Sequence, residues 1–222
     1  MKISFVTLFP EMFEPLKASL IGKAQEKNAL KIEIINIRDY SLDKHKKCDD
    51  YPFGGGAGML MTPQPIYDAI TSIRGYKKAH KIYMSPKGKT LNQAKVKELS
   101  KFDHLIILCG HYEGIDERII DLLIDEEISI GDFVLTGGEI PAMALADSVA
   151  RFIPGVLGSL DSTVDESFSD NLLEYPQYTR PQEFKGLSVP EVLVSGDHAK
   201  VNEWRKKEAL KVTKARRPDL LR

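Results

Sequence analysis

Cysteine is scarce: Cys48 and Cys109 stand far apart in 222 residues and form no CxxC pair. That spacing points to reduced thiols in a cytoplasmic protein rather than a disulfide framework. Long apolar runs are missing too. Nothing approaches the ~18 residues that a membrane-spanning helix needs, and MKISFVTLFPEMF lacks the apolar core and cleavage site of a signal peptide. The histidines, His45, His80, His104, His111 and His198, show no metal-ligand spacing, and neither an HExxH pair nor an EF-hand loop occurs. No internal repeat and no low-complexity tract is present. Excess charge is absent as well: a net charge of −1 gives no reason in itself to expect nucleic acid.

What remains is ordinary globular composition, 42% hydrophobic and 28% charged, enough for one large domain or a main domain with a small appendage. The charge is unevenly placed. From His198 to Arg222 there are nine Lys or Arg against three acids, so this tail is +6 and the preceding residues are −7. A basic end on an acidic body is a footprint for a polyanion, and equally a solvated helix face. Charge alone leaves both readings open.

Strand and helix alternate along the chain. KISFVTLF (2–9), LKIEIINI (30–37), HKIYMS (80–85), HLIILC (104–109) and EEISI (126–130) read as strands. Helices are expected from Pro10, over 65–74, over 91–100 behind a Thr90 cap, through Leu123, and over the apolar IPAMALADSVARF. SPKGK is expected to turn the chain. The pattern predicts an α/β fold with a mainly parallel sheet. Residues 158–175 are acidic and Ser-rich, as a linker would be. Beyond them VPEVLVSG is a short apolar segment, and Asp197 is placed to cap a basic terminal helix.

Three consecutive strands end in polar, glycine-containing loops, SPKG (85–88), CGHYEG (109–114) and SIGDFVLTGG (129–138). Ligands of open parallel sheets sit outside the carboxyl ends of the strands, and such loops offer main-chain groups suited to an adenine edge and a ribose. The common nucleotide motifs fail, however. GKT (88–90) would end a P-loop, but the required earlier glycine falls on Tyr83, and GGGAGM puts Met59 at the last glycine of G-x-G-x-x-G. DDYPFGGGAGM (49–59) packs four glycines into five residues between Pro52, Phe53 and Met59. Glycine loses the most backbone entropy on ordering, so the run is either a plain surface loop or one that lets main chain approach a ligand.

In order along the chain, LFPEMF, DDYPFGGGAGM, CGHYEGIDER, SIGDFVLTGGE, RFIPGVLG and YPQYTRP resemble the bacterial tRNA (guanine-N1)-methyltransferase family, of the SPOUT or trefoil-knot superfamily. The resemblance covers nearly the whole chain. It implies a parallel sheet threaded into a deep knot, which no periodicity would foretell because knots are nearly absent from proteins. It further implies a knotted catalytic domain over 1–157, an interdomain loop over 158–175, and a small basic helical tRNA-binding domain over 176–222. Also implied are a cytoplasmic homodimer with a composite active site and S-adenosylmethionine as methyl donor. The substrate would be N1 of guanosine 37, beside the anticodon of tRNA.

Carried over residue by residue, the cofactor loops fall on Tyr83, Ser85, Pro86 and Gly88, then on Gly110, Tyr112, Glu113 and Gly114. The third set is Ser129, Ile130, Gly131, Asp132, Phe133, Val134, Leu135, Gly137, Gly138 and Pro141. Ile130 and Leu135 would sandwich the adenine. Methylating N1 requires a base for its proton and a cationic donor for O6. The family's arginine is Arg151. Its aspartate before Ser-Phe is replaced here by Glu166, directly after Asp165, so the base is Glu166 or, with a change of register, Asp165. Asn171 stands where relatives usually carry glycine, and the chain stops at Arg222, sooner than many relatives, implying that part of the terminal helical domain is shorter or absent.

The glycine loop would approach the target base, with Asp49, Phe53 and Gly55 on the tRNA side. Tyr178, Arg180, Lys206, Lys207, Arg216 and Arg217 would meet the rest of the tRNA, the cations tracking its phosphates. Trp204 reads as another contact or as packing of the small domain. A magnesium ion at Glu113 is implied by the resemblance alone. The rivals are a knotted methyltransferase acting on a ribose 2′-hydroxyl and a catalytically silent RNA binder.

Overall fold

A computed structural model describes residues 1–157 and 166–221. The chain divides into two compact units, Met1–Gly158 and Ser159–Arg222. In the first, β1 (Lys2–Thr7), α1 (Ser19–Glu26), β2 (Lys31–Asn36), β3 (Asp49–Asp50), β4 (Leu60–Met61) and α2 (Pro63–Ser72) come first. They are followed by β5 (His80–Thr90), α3 (Gln93–Leu99), β6 (His104–Cys109), α4 (Glu117–Leu123), β7 (Glu126–Ser129) and α5 (Glu139–Ala150). Five of the strands form one sheet in the order β2-β1-β6-β5-β7, every neighbour pair parallel. The expected α/β class with a parallel sheet is what the structure has.

The strand sequences explain the burial. In β6, Leu105, Ile107 and Cys109 join Ile3, Phe5, Ile82, Met84 and Ile128 on one face, under side chains of α1, α3 and α5. Ile106 and Leu108 join Val6 and Tyr83 on the other, under α2 and α4. Strands covered on both sides read as continuous apolar runs, which is why HLIILC was legible as a strand.

Three local expectations are corrected. SPKGK does not end β5: pairing with β7 resumes beyond it, the register jumping from Met84↔Ile128 to Lys89↔Ile128, so the residues between are extruded as a bulge. Thr90 does not cap α3. It is still paired to Ser129, and Asn92 caps the helix, its Oδ1 accepting the Lys95 N–H at 2.9 Å. The segment opened by Pro10 is a 3-10 helix, Pro10–Lys17, because Pro15 inside it lacks the N–H an α-helix needs.

In the second unit, α6 (His198–Arg216) begins at Asp197, whose Oδ1 accepts the Lys200 N–H at 3.1 Å, the expected cap. VPEVLVSG contains a 3-10 turn, Glu191–Val194, and a short antiparallel hairpin pairs Glu183–Phe184 with Leu187–Ser188. Buried Thr213 ties α6 to the preceding segment, donating to Ala209 at 2.7 Å and accepting the Leu173 N–H at 2.8 Å. Trp204 lies between Tyr175 and Tyr178, with ring centroids 6.4 and 6.3 Å away.

Ile107 sits fully buried in the central strand β6. Ile107→Ala is expected to cost about 2–5 kcal/mol by urea denaturation, from lost transfer energy plus the cavity left behind.

Candidate active site

The bulge after Met84, the loop after β6 and the loop after β7 enclose a cavity of about 540 Å³ at the carboxyl end of the sheet. Chain crossing shapes it. β7 is an edge strand, yet the segment that follows returns past β5 to the end of β6, where the Gly138 N–H donates to the Gly110 carbonyl at 2.9 Å. His111 and Gly137 also form an antiparallel bridge there. Glycine is required at the crossing because a Cβ on Gly138 would stand 2.7 Å from Cys109 Cα and 2.9 Å from the Gly110 nitrogen.

Of the residues expected to hold the cofactor, Tyr83, Ser85, Pro86, Gly110, Tyr112, Glu113 and Gly114 line this cavity, with Ser129, Ile130, Phe133, Val134, Leu135, Gly137, Gly138 and Pro141. Gly88, Gly131 and Asp132 do not. Gly88 packs on the backbone of β7, where any Cβ would overlap Glu127. Gly131 takes φ +154° within its loop, its N–H donating to the Ser129 hydroxyl at 3.1 Å, and Asp132 is exposed. Met84, Lys87, His111, Glu117, Ile128 and Thr136 line the cavity without having been anticipated. Most neighbour the named positions, and His111 carries no signal of its own because its spacing matches no ligand pattern.

The glycine run is the connection of a hairpin, β3 pairing with β4 through Asp49↔Met61 and Asp50↔Leu60. Gly54, Gly55, Gly56 and Gly58 have φ of +86°, +81°, +130° and +82°, a backbone that side chains with a Cβ rarely adopt. Phe53 is completely exposed and Gly55 has open space around it. The hairpin is stitched to the cavity: Glu113 N–H donates to Met59 O, Met61 N–H to Gly114 O and Asp116 N–H to Met61 O, at 3.0, 3.0 and 3.1 Å.

Chemically the cavity offers main chain, apolar walls and acids. Ile130 and Leu135 suit a flat aromatic face, while exposed Glu113 and Glu117 suit a cation. Burial pushes the Cys109 thiol well up, with the Glu139 carboxylate adding to it, so it is no nucleophile. Among the described residues no group of three or more His, Cys, Asp or Glu is placed to hold a metal ion.

Arg151 follows α5 in the first unit, half-buried, whereas Glu166 belongs to the second. Asp165 lies outside the described residues. Glu166 lines a cavity of about 320 Å³ with Tyr175, Arg205 and Lys206. Asn171 adopts φ +57°, the left-handed backbone that asparagine tolerates. Tyr178, Arg180, Lys206, Lys207, Arg216 and Arg217 are all exposed. Arg217 makes a two-pronged pair with Asp219 at 2.9 and 2.7 Å.

Tyr83 forms the cavity wall beneath Gly110 and Gly114 and is 7% exposed. Burial, then the Glu127 and Glu117 carboxylates, push its phenol up from 10.0 to about 12. The unfolded chain therefore loses this proton first, and stability should fall as pH rises from 10.0 toward 12. Spectrophotometric titration should show one late tyrosine step near 12 that Tyr83→Phe removes; an unchanged curve would contradict this environment.

Residues 1–222 match the protein family described as tRNA (Guanine-1)-methyltransferase TrmD. A protein of Clostridium perfringens strain SM101 named tRNA (guanine-N(1)-)-methyltransferase is 60% identical over 220 residues, 99% of this chain and 93% of the relative. Proteins of the same name from Clostridioides difficile strain 630 and Alkaliphilus metalliredigens are 56% and 57% identical, covering 99% and 100% of this chain and 97% and 92% of theirs. With that identity along its length, the chain belongs to the tRNA (guanine-N1)-methyltransferase family.

Proposed function

We propose that the protein methylates N1 of guanosine 37 in tRNA with S-adenosylmethionine as donor. The observation that carries this reading is the cavity at the carboxyl ends of β5, β6 and β7, walled by the three strand-end loops in a chain that belongs to the family throughout. The residues fit the donor. Ile130 and Leu135 can hold the adenine faces, main chain of the 110–114 and 129–135 loops can read its edge, and Glu113 and Glu117 complement the positive sulfonium and ammonium groups. When bound, the donor supplies an electrophilic methyl.

The protein's own part is to manage a proton and a developing charge. Glu166 accepts the N1 proton, so that the lone pair is free to bond carbon as negative charge spreads toward O6. The Arg151 guanidinium donates to O6 and stabilises that charge. Glu166 and Arg151 lie in different units, which fits a composite site in a homodimer. Residues 1–157 are assigned to catalysis, 158–175 to the connecting loop and 176–222 to tRNA. The return of the 131–138 segment across the sheet to Gly110 is the feature that supports a trefoil knot.

The glycine hairpin, with Asp49, Phe53 and Gly55, is assigned to the target base. Tyr178, Arg180, Lys206, Lys207, Arg216 and Arg217 are assigned to the tRNA body, where the +6 tail makes phosphate contact favourable. Trp204 serves as packing between two tyrosines. Glu113 is the carboxylate the resemblance offers to magnesium. It has no companion cluster among the described residues, so no step is derived through that ion. The described residues contain no helix long and apolar enough to cross a membrane, and the reading assigns the protein to the cytoplasm, with its tRNA.

Glu166→Gln and Arg151→Ala are each expected to lower single-turnover methyl transfer by about 10²-fold or more. Donor affinity, measured by calorimetry, should stay within about twofold, because neither residue lines the donor cavity. Asp165→Asn should change the rate less than about tenfold if Glu166 is the base. Normal turnover in both of the first two variants would remove the mechanism.

A further inference from the structure

Among the described residues Glu139 is the only charged one that is buried, at 0% exposure. A carboxylate with no access to water costs several kcal/mol unless hydrogen-bonded or paired, so its partners matter. The Thr7 hydroxyl donates to Oε1 at 2.7 Å, and Thr7 itself accepts the Phe9 N–H at 2.9 Å. Oε2 has no hydrogen-bond partner. It faces His111 Nε2 at 3.5 Å.

His111 is held in that position. The Phe9 ring lies 4.6 Å from its imidazole, the Tyr112 ring meets it edge-on at 5.8 Å, and the His111 backbone N–H donates to Met61 Sδ at 3.2 Å. The returning segment passes against the pair: a Cβ on Gly137 would overlap both the His111 ring and the Glu139 carboxylate. Thus the end of β1, the loop after β6 and the start of α5 meet on one buried carboxylate, and His111 lines the cavity beside it. A mere favourable charge at a helix N-terminus would need neither the threonine nor the histidine.

We propose that Glu139 is a positioning residue of the methyl-donor cavity, acting through His111. Its carboxylate keeps a proton on Nε2 and thereby holds the 110–114 loop and the 137–138 segment in binding register. This rests on the donor reading of the cavity given above.

The test compares the full-length protein with Glu139→Gln, His111→Gln and His111→Leu. Imidazole 15N NMR of the unmodified protein should show a slowly exchanging Nε2–H, assigned to His111 by its loss in His111→Gln. In Glu139→Gln the amide presents an N–H toward the ring, and that signal should vanish as the proton moves to Nδ1. S-adenosylhomocysteine should bind about tenfold more weakly to Glu139→Gln and to His111→Leu, with kcat at saturating donor changed less than about twofold. His111→Gln, whose amide can donate to Oε2, should recover most of the affinity. If Glu139→Gln fails to fold, the two His111 variants decide, since both leave the carboxylate in place. An unaltered His111 signal in Glu139→Gln, or unmodified affinity in His111→Leu, overturns the proposal. Failure of the unmodified protein to bind S-adenosylhomocysteine overturns the donor reading instead, and leaves the NMR result to judge the pair on its own.

Discussion

Everything at the functional end of this molecule depends on one main-chain contact, the Gly138 N–H on the Gly110 carbonyl. It is where the chain, having completed an edge strand, is brought back against the centre of the sheet. The approach leaves no room for a Cβ on Gly138, and Gly110 is required separately, by the Tyr83 side chain beneath it. A Cβ on Gly110 would meet the Tyr83 hydroxyl at 2.7 Å, just as one on Gly138 would meet Cys109. Because the three loops are joined there, their cavity is a property of the crossing rather than of any single loop.

The crossing extends its influence through hydrogen bonds. Residues 113–116, which follow directly from it, are laddered to Met59 and Met61, so the glycine hairpin rests on the same loop that closes the cavity proposed for the donor. Gly58 shows how close that approach is, since a Cβ there would overlap the Glu113 side chain. A loop with four left-handed glycines would be expensive to order alone. Anchored at one end to the cavity wall, it is held beside the cavity.

Much of this was legible in the sequence, for identifiable reasons. β6 was readable because both faces of a parallel strand are apolar, and α6 because Asp197 and its basic run mark the start and body of a helix. The bulge between Met84 and Lys89 was not readable, since a register shift leaves no periodicity of its own. Thr90 resembles a cap locally, while the strand pairing that claims it comes from Ser129, far along the chain. The cavity loops were named as glycine-bearing strand ends. What brings them together, the return of 131–138 to Gly110, is a long-range contact that local pattern cannot express. Glu139 escaped notice for the same reason, being an unremarkable helix-start acid until Thr7 and His111 are seen around it.

The central claim is methyl transfer to one nitrogen of one nucleotide. Its most direct test is transfer of labelled methyl from S-adenosylmethionine to two tRNA transcripts that differ only in carrying guanosine or adenosine at position 37. The account predicts label in the guanosine transcript alone, mapped to N1, with Glu166 serving as the base. Label on a ribose, label in both transcripts, or none in either despite measured binding of donor and tRNA, would contradict it.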